Sequence, residues 1–299
     1  MAAFTLLIAC LLLGALVARL ARPPLGLAQG LNWWVINLAL PALVLDLIPQ
    51  LRFDWQFWFL VVSQWLVFAG AFAGFRLLGG RLGWSRARIG ALTLVCGLGN
   101  TSFMGYPMIE ALHGRDGLAL GVVADQLGCF VVLATGGTWV SALYSGARTH
   151  ASAIARRVLL FPAFLALLVG VLAGGLGGWP PLVDEVLQRI GSTLVPLALF
   201  SVGLRFRLQL GEGQALPLVL GLGWKLLLAP LLVLLLGVVA GVGGLTLTVG
   251  VLQAAMAPMI SAAILADQHN LEPALANSVL GAGILLSLAT VPLWSLALG

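Results

Sequence analysis

Apolar runs of about twenty residues follow one another along this chain with hardly a charge inside them, and no other feature limits its fold as tightly. Ten can be read, at residues 2–18, 31–48, 55–78, 89–109, 118–143, 158–176, 192–204, 216–240, 245–266 and 274–298. Each approaches the length a helix needs to cross a hydrocarbon core, and the short seventh gains length from the amphipathic stretch 182–191 before it. The expected fold class is an all-α polytopic membrane protein with ten transmembrane helices. With 61% hydrophobic and 8% charged residues and a mean hydropathy of +1.09, the chain carries more apolar surface than a soluble domain of this size could hide. Residues 2–18 lack the basic start of a signal peptide and run directly into Arg19 and Arg22, so they read as the first span.

A net charge of +5 would suggest a nucleic-acid partner in a soluble protein, but here the arginines sort by side of the membrane. Connections 1–2, 3–4, 5–6 and 7–8 hold Arg19, Arg22, Arg76, Arg81, Arg86, Arg88, Arg148, Arg156, Arg157, Arg205 and Arg207. The opposite face holds only Arg52, Arg115 and Arg189. Positive residues stay in the cytoplasm, so both termini are expected outside it and the connector 145–157 inside, in a multi-pass protein of the inner (plasma) membrane with no nucleic-acid partner. Cys10, Cys96 and Cys129 lie in apolar runs without CxxC spacing or clustered His, which points away from a disulfide framework, a metal site or a cofactor. The 38 glycines suit close helix packing in lipid.

Two of the runs are interrupted. Gly97-Leu98-Gly99-Asn100-Thr101-Ser102-Phe103-Met104-Gly105-Tyr106-Pro107 lies within 89–109, and Gln253-Ala254-Ala255-Met256-Ala257-Pro258-Met259-Ile260-Ser261 lies within 245–266. Proline removes a helical donor, and glycine and Asn are poor helix formers, so both stretches should break their helices. Broken helix survives in a bilayer only where protein or a wet cavity covers it. Pro-Met-Ile recurs at 107 and 258, and Leu40-Pro41-Ala42-Leu43-Val44-Leu45 resembles Val195-Pro196-Leu197-Ala198-Leu199-Phe200, both running on to an Arg-Phe pair. The expected organisation is a first five-helix repeat at 1–144, a cytoplasmic connector at 145–157 and a second repeat at 158–299. An odd number of spans makes the repeats inverted, with helices 4 and 9 broken and crossing, which is the sequence mark of a transporter site at the midplane.

Ionisable residues inside spans are costly enough to suggest function. Asp46 reads equally as an ion pair near a span end, with Arg52 as partner, or as a functional group. Asp125, beside Gln126, lies deeper, and a carboxylate there could be protonated in one state and paired in another. Lys225 could attract an anion or pair with Asp125 or Asp46, but its place near the start of the eighth span favours snorkelling to the interface. Asn100, Gln253 and Ser261 are polar groups at the breaks. Half-helices starting after Pro107 and Pro258 would aim unpaired N–H groups and a partial positive charge at the crossing, where a small organic anion is stabilised without an arginine. Asn100 would donate its amide to a carboxylate, Ser261 a hydroxyl, and Gln253 would contribute more weakly.

Gly99-Asn100-Thr101-Ser102-Phe103-Met104-Gly105-Tyr106-Pro107 resembles the GNTxFxGxP signature of the auxin efflux carrier family, the plant PIN-type carriers and their bacterial members assigned to malonate, malate and related anions. Met256-Ala257-Pro258-Met259-Ile260-Ser261-Ala262 with Leu265-Ala266 resembles its second motif, with Ala257 for a proline and Ser261 for an asparagine, and Ser287-Leu288-Ala289-Thr290-Val291-Pro292 resembles the end of its last helix. The resemblance covers the whole chain. It implies the inverted-repeat fold shared with bile-acid-type transporters, a scaffold and a transport domain, elevator-type alternating access and a homodimer. The candidate substrate-binding set at the two breaks is Asn100, Thr101, Pro107, Gln253, Pro258 and Ser261. Asp125, Gln126, Asp46 and Lys225 remain as candidates for coupling to protons, or to sodium. The expectation is a secondary carrier for a mono- or dicarboxylate such as malonate, malate or an auxin-like acid. The alternatives are a sodium- or proton-coupled bile-acid-type symporter for another organic anion, or a transporter fold kept as a sensor. A membrane enzyme is disfavoured, since no span holds a His or paired carboxylates.

Overall fold

A computed structural model describes residues 2–21, 23–51, 54–146, 151–205 and 213–299. Among them the secondary structure is helical, apart from one isolated β-bridge. The helices are α1 (Ala2–Leu20), α2 (Leu27–Gln50), α3 (Phe57–Leu82), α4 (Arg86–Gly97), α5 (Thr101–Ser145), α6 (Ala151–Leu159), α7 (Pro162–Gly175), α8 (Pro181–Leu204), α9 (Ala215–Val239), α10 (Gly244–Ala255), α11 (Ile260–Gln268) and α12 (Pro273–Leu298). Six of these, α2, α3, α5, α8, α9 and α12, are long and apolar enough to cross a membrane, and α1, α7 and α10 are shorter apolar helices.

Two boundaries have simple causes. α5 turns sharply at Gly114, whose φ of 67° and ψ of −162° suit a residue without a Cβ. The expected run 158–176 divides between α6 and α7, because Phe161 is held extended (φ −71°, ψ 125°) ahead of Pro162, which then opens α7.

Three interior prolines share an imprint, although Pro292 sits in regular α12 and the π-turns Ala124–Cys129 and Leu133–Gly137 have no proline after them. The wide π-turns Val35–Ala39, Thr101–Gly105 and Trp224–Leu228 each end two residues before a proline, namely Pro41, Pro107 and Pro230. A proline ring collides with the carbonyl one turn back and offers no N–H, and a turn one residue wider relieves both problems without ending the helix. The prolines therefore place π-turns inside spans, and one of those turns carries Lys225.

The chain folds into two compact units, each drawing on both sequence halves. The first comprises Met1–Asp54, Ser102–Val122 and Arg156–Phe206. Its helices approach through glycine: a Cβ on Gly203 of α8 would stand 2.9 Å from Ala15 N and would overlap Leu11 O of α1, and Gly14 of α1 faces Phe200 O in the same way. α7 and α8 likewise press Gly174 and Gly191 against the backbone of Pro49 and Leu43 on α2. Such small-residue contacts drive helix association where lipid removes the hydrophobic incentive. Gly203→Leu should therefore separate α1 from α8 and cost on the order of 1–3 kcal/mol or more, read as a fall of several degrees in the melting temperature of the detergent-purified protein. An unchanged melting temperature would refute this packing.

The second unit comprises Trp55–Thr101, Val123–Ala155 and Arg207–Gly299. Phe68 of α3 is buried between Gly97 and Gly136, and the Phe59 ring lies against Gly237 and Gly250. At one end Glu272 joins α4 to the start of α12, accepting from Arg88 Nε at 2.9 Å and Ser85 Oγ at 2.9 Å. Leu92, Leu94, Val95, Leu226, Ala262 and Val279 are fully or nearly fully buried around the site described next.

Candidate functional site

Gly97 and Gly99 are poor helix formers, and α4 stops there: Leu98 is extended at φ −115°, ψ 129°. α10 stops at Ala255, and Met256 (φ −61°, ψ 154°) and Met259 (φ −78°, ψ 132°) are extended in turn. The two short segments meet as an antiparallel bridge between Gly99 and Pro258. Asn100 N–H donates to Ala257 O at 2.7 Å, and Met259 N–H donates to Leu98 O at 3.1 Å. Each segment thus satisfies backbone groups that the other's helix has left unpaired. The Pro258 ring packs on Gly283 of α12, where a Cβ would stand 2.7 Å from Pro258 Cγ.

Polar side chains converge on this bridge. Gln253, fully buried, donates from Nε2 to Thr101 O at 3.4 Å. Thr101, also fully buried, donates its hydroxyl to Asp125 Oδ1, while Gln126 Nε2 donates to Asp125 Oδ2 at 2.7 Å. Lys225 Nζ donates to Ala254 O at 2.8 Å. Cys129, one turn beyond Asp125, places Sγ 3.4 Å from Gly99 O. Asn100 completes the group: it is 3% exposed, and its amide Nδ2 has no hydrogen-bond partner among the described residues. A buried donor without a partner costs about 1–3 kcal/mol, so its retention calls for a reason outside the protein's own packing.

Electrostatically, the C-termini of α4 and α10 bring partial negative charge to the bridge, and α5 and α11 open directly from it with their N-terminal partial positive charge. The arrangement can hold a cation on one side of the bridge and an anion on the other.

The sequence-expected residues fall into three groups. Asn100, Thr101, Gln253 and Pro258 are brought together at the bridge, with Asp125 and Gln126 bonded to it through Thr101. Ser261 is not: it is the second residue of α11 and its side chain is exposed. Pro107 is not at a break either. The second half-helix starts at Thr101 rather than after Pro107, because the chain extends where Gly97, Gly99 and Asn100 resist helix, and the π-turn absorbs the proline. The Pro-Met-Ile match at 107 and 258 therefore pairs two prolines of different local role.

Lys225 differs from the expectation of snorkelling. It is fully buried, with its ammonium on Ala254 O. It is the eleventh residue of α9, which puts it about 15 Å into the span, beyond the reach of a lysine stem to the interface. Asp46 belongs to the first unit, 1% exposed, and pairs with Arg115, Nη2 to Oδ2, at 2.7 Å. Its expected partner Arg52 lies outside the described residues. Arg22, Arg148 and Arg207 of the charge count lie outside them too. Sequence reasoning missed Cys129 and Gly283. Cys129 was visible in one respect, since it follows Asp125 by four residues and so shares its helix face. The place of Gly283 depends on tertiary packing alone.

Comparison with known proteins adds to this geometry. The sequence profile of a family described as "Membrane transport protein" matches the chain twice, over residues 5–153 and 147–295. An uncharacterized transporter of Methanothermobacter thermautotrophicus is 28% identical over 273 residues, covering 91% of this chain and 89% of the relative. An uncharacterized transporter of Methanocaldococcus jannaschii is 24% identical over 211 residues, covering 69% of this chain and 68% of its own.

Proposed function

Because this chain belongs to the membrane transport protein family, that of the auxin efflux carriers, we propose that it is a secondary carrier that moves a small organic anion, a mono- or dicarboxylate such as malonate, malate or an auxin-like acid. The observation that carries the substrate class is the buried amide of Asn100, without a partner among the described residues, beside two bridged segments from which α5 and α11 begin. An amide donor and helix N-termini suit a carboxylate, which accepts from both. Thr101, Gln253 and Pro258 shape that place.

The double family match supports two five-helix inverted repeats, 1–144 and 158–299, around the connector 145–157, and hence ten spans with helices 4 and 9 broken. In this reading the unit that contains the bridge carries the substrate in an elevator-type motion and the other unit is the scaffold, in a homodimer. Asp125 with Gln126 is the coupling group for protons, and Asp46, paired with Arg115, is a structural charge.

Topology is directly testable. Single cysteines at Ser145 and Gly178 in a cysteine-free background should label from opposite faces, Ser145 from the cytoplasm, with both termini outside at the inner membrane. Labelling of both from one side would refute the inverted repeats. The binding reading is tested by a thermal-shift screen of the purified protein against carboxylates, amines and sugars. Stabilisation by carboxylates is the expected result, and stabilisation by amines or sugars alone would overturn it.

A further inference from the structure

Lys225 is a fully buried cation whose hydrogen-bond partner is a main-chain carbonyl rather than a carboxylate. That carbonyl belongs to Ala254, the penultimate residue of α10. The ammonium also lies against the backbone at Gly99, where a Cβ would stand 3.0 Å from Nζ and 3.2 Å from Gln253 O. It therefore sits on a carbonyl in the last turn of α10 and beside Gly99, just past the end of α4, where two helix dipoles concentrate negative potential. Negative potential and a main-chain carbonyl at a helix C-terminus suit a hard monovalent cation, and the ammonium carries the same charge on a stem anchored in the π-turn of α9. Gly99 is part of the fit, since a side chain there would close on the ammonium.

We propose that Lys225 is a tethered cation that takes the place of a bound alkali ion at the bridged ends of α4 and α10, so that the carrier assembles its binding site without sodium. This rests on the carrier reading for its purpose, but on the position of Nζ alone for its substance. Substrate binding and cation supply are thereby separated: the anion meets Asn100 and the helix N-termini, and the helix C-termini are neutralised permanently from within. It also bears on the choice between proton and sodium coupling, because no free sodium is then required at the bridge.

The test uses the purified full chain and its melting temperature in sodium chloride and in choline chloride at equal ionic strength. Wild type should melt at the same temperature in both salts. K225A should melt lower in choline chloride and be restored saturably by methylammonium chloride, which refills both the lost volume and the charge, while K225R should stay close to wild type and indifferent to sodium. A saturable sodium stabilisation of wild type would overturn the proposal, as would a K225A protein that responds alike to methylammonium and choline. Should K225A resist purification, its recovery after extraction in methylammonium but not in choline decides for the proposal, and equal recovery or equal failure in both decides against it. A malonate arm on wild type keeps the two readings apart: loss of malonate stabilisation there counts against the carrier's substrate class, whereas the salt comparison reads Lys225 alone.

Discussion

Asn100→Ala is expected to weaken malonate binding roughly tenfold to a hundredfold without lowering the melting temperature of the ligand-free protein. The two halves of that expectation have one cause. The Asn100 amide Nδ2 is buried with no partner among the described residues, so the fold gains no hydrogen bond from it and carries the desolvation cost of the donor. Truncation removes that cost and leaves the backbone bond from Asn100 N–H to Ala257 O in place. The carboxylate, by contrast, loses a charge-assisted hydrogen bond of about 1.5–3 kcal/mol, which is the stated loss in affinity. A variant that binds malonate as tightly as wild type would take Asn100 out of the site. One that unfolds would show the amide to be structural.

Asp125→Asn should abolish uptake driven by a pH gradient and spare exchange of labelled for unlabelled substrate. Asparagine keeps an oxygen for the Thr101 hydroxyl, and Gln126 can turn its own amide to accept from the new one, so Thr101 stays fixed at the head of α5. What disappears is the titratable carboxyl group bonded to Thr101, which the proposed proton coupling requires. Gradient-driven uptake should then fall to the level of protein-free vesicles. Asp125 reaches the bridge from α5 through Thr101, and Lys225 reaches it from α9 at Ala254 O. An Asp125→Asn variant with unchanged pH dependence would remove this carboxylate from coupling.

Much of the architecture was legible because hydrocarbon enforces it. The runs 55–78, 216–240 and 274–298 reappear within about four residues as α3, α9 and α12, since span length follows bilayer thickness. The meeting of Asn100, Thr101, Gln253 and Pro258 was legible for a related reason: helix-breaking residues inside a span need a partner for their backbone, and the other break supplies it. The point at which α4 stops was less so, because proline is a strong signal and three weak helix formers upstream outweighed it once a π-turn accommodated Pro107. The burial of Lys225 depends on carbonyls of α10, far away in sequence, that local pattern does not reveal. The pairing of Asp46 with Arg115 depends in the same way on a helix 69 residues on. The two compact units were not legible at all from span order, since each takes helices from both halves.

The central claim is translocation of a small organic anion, and counterflow in proteoliposomes tests it most directly. Vesicles preloaded with unlabelled malonate and diluted into labelled malonate should accumulate label above protein-free vesicles. Other small carboxylates outside should compete, and amines and sugars should not. Accumulation no greater than in protein-free vesicles across a panel of mono- and dicarboxylates, or competition by amines or sugars alone, would contradict the account.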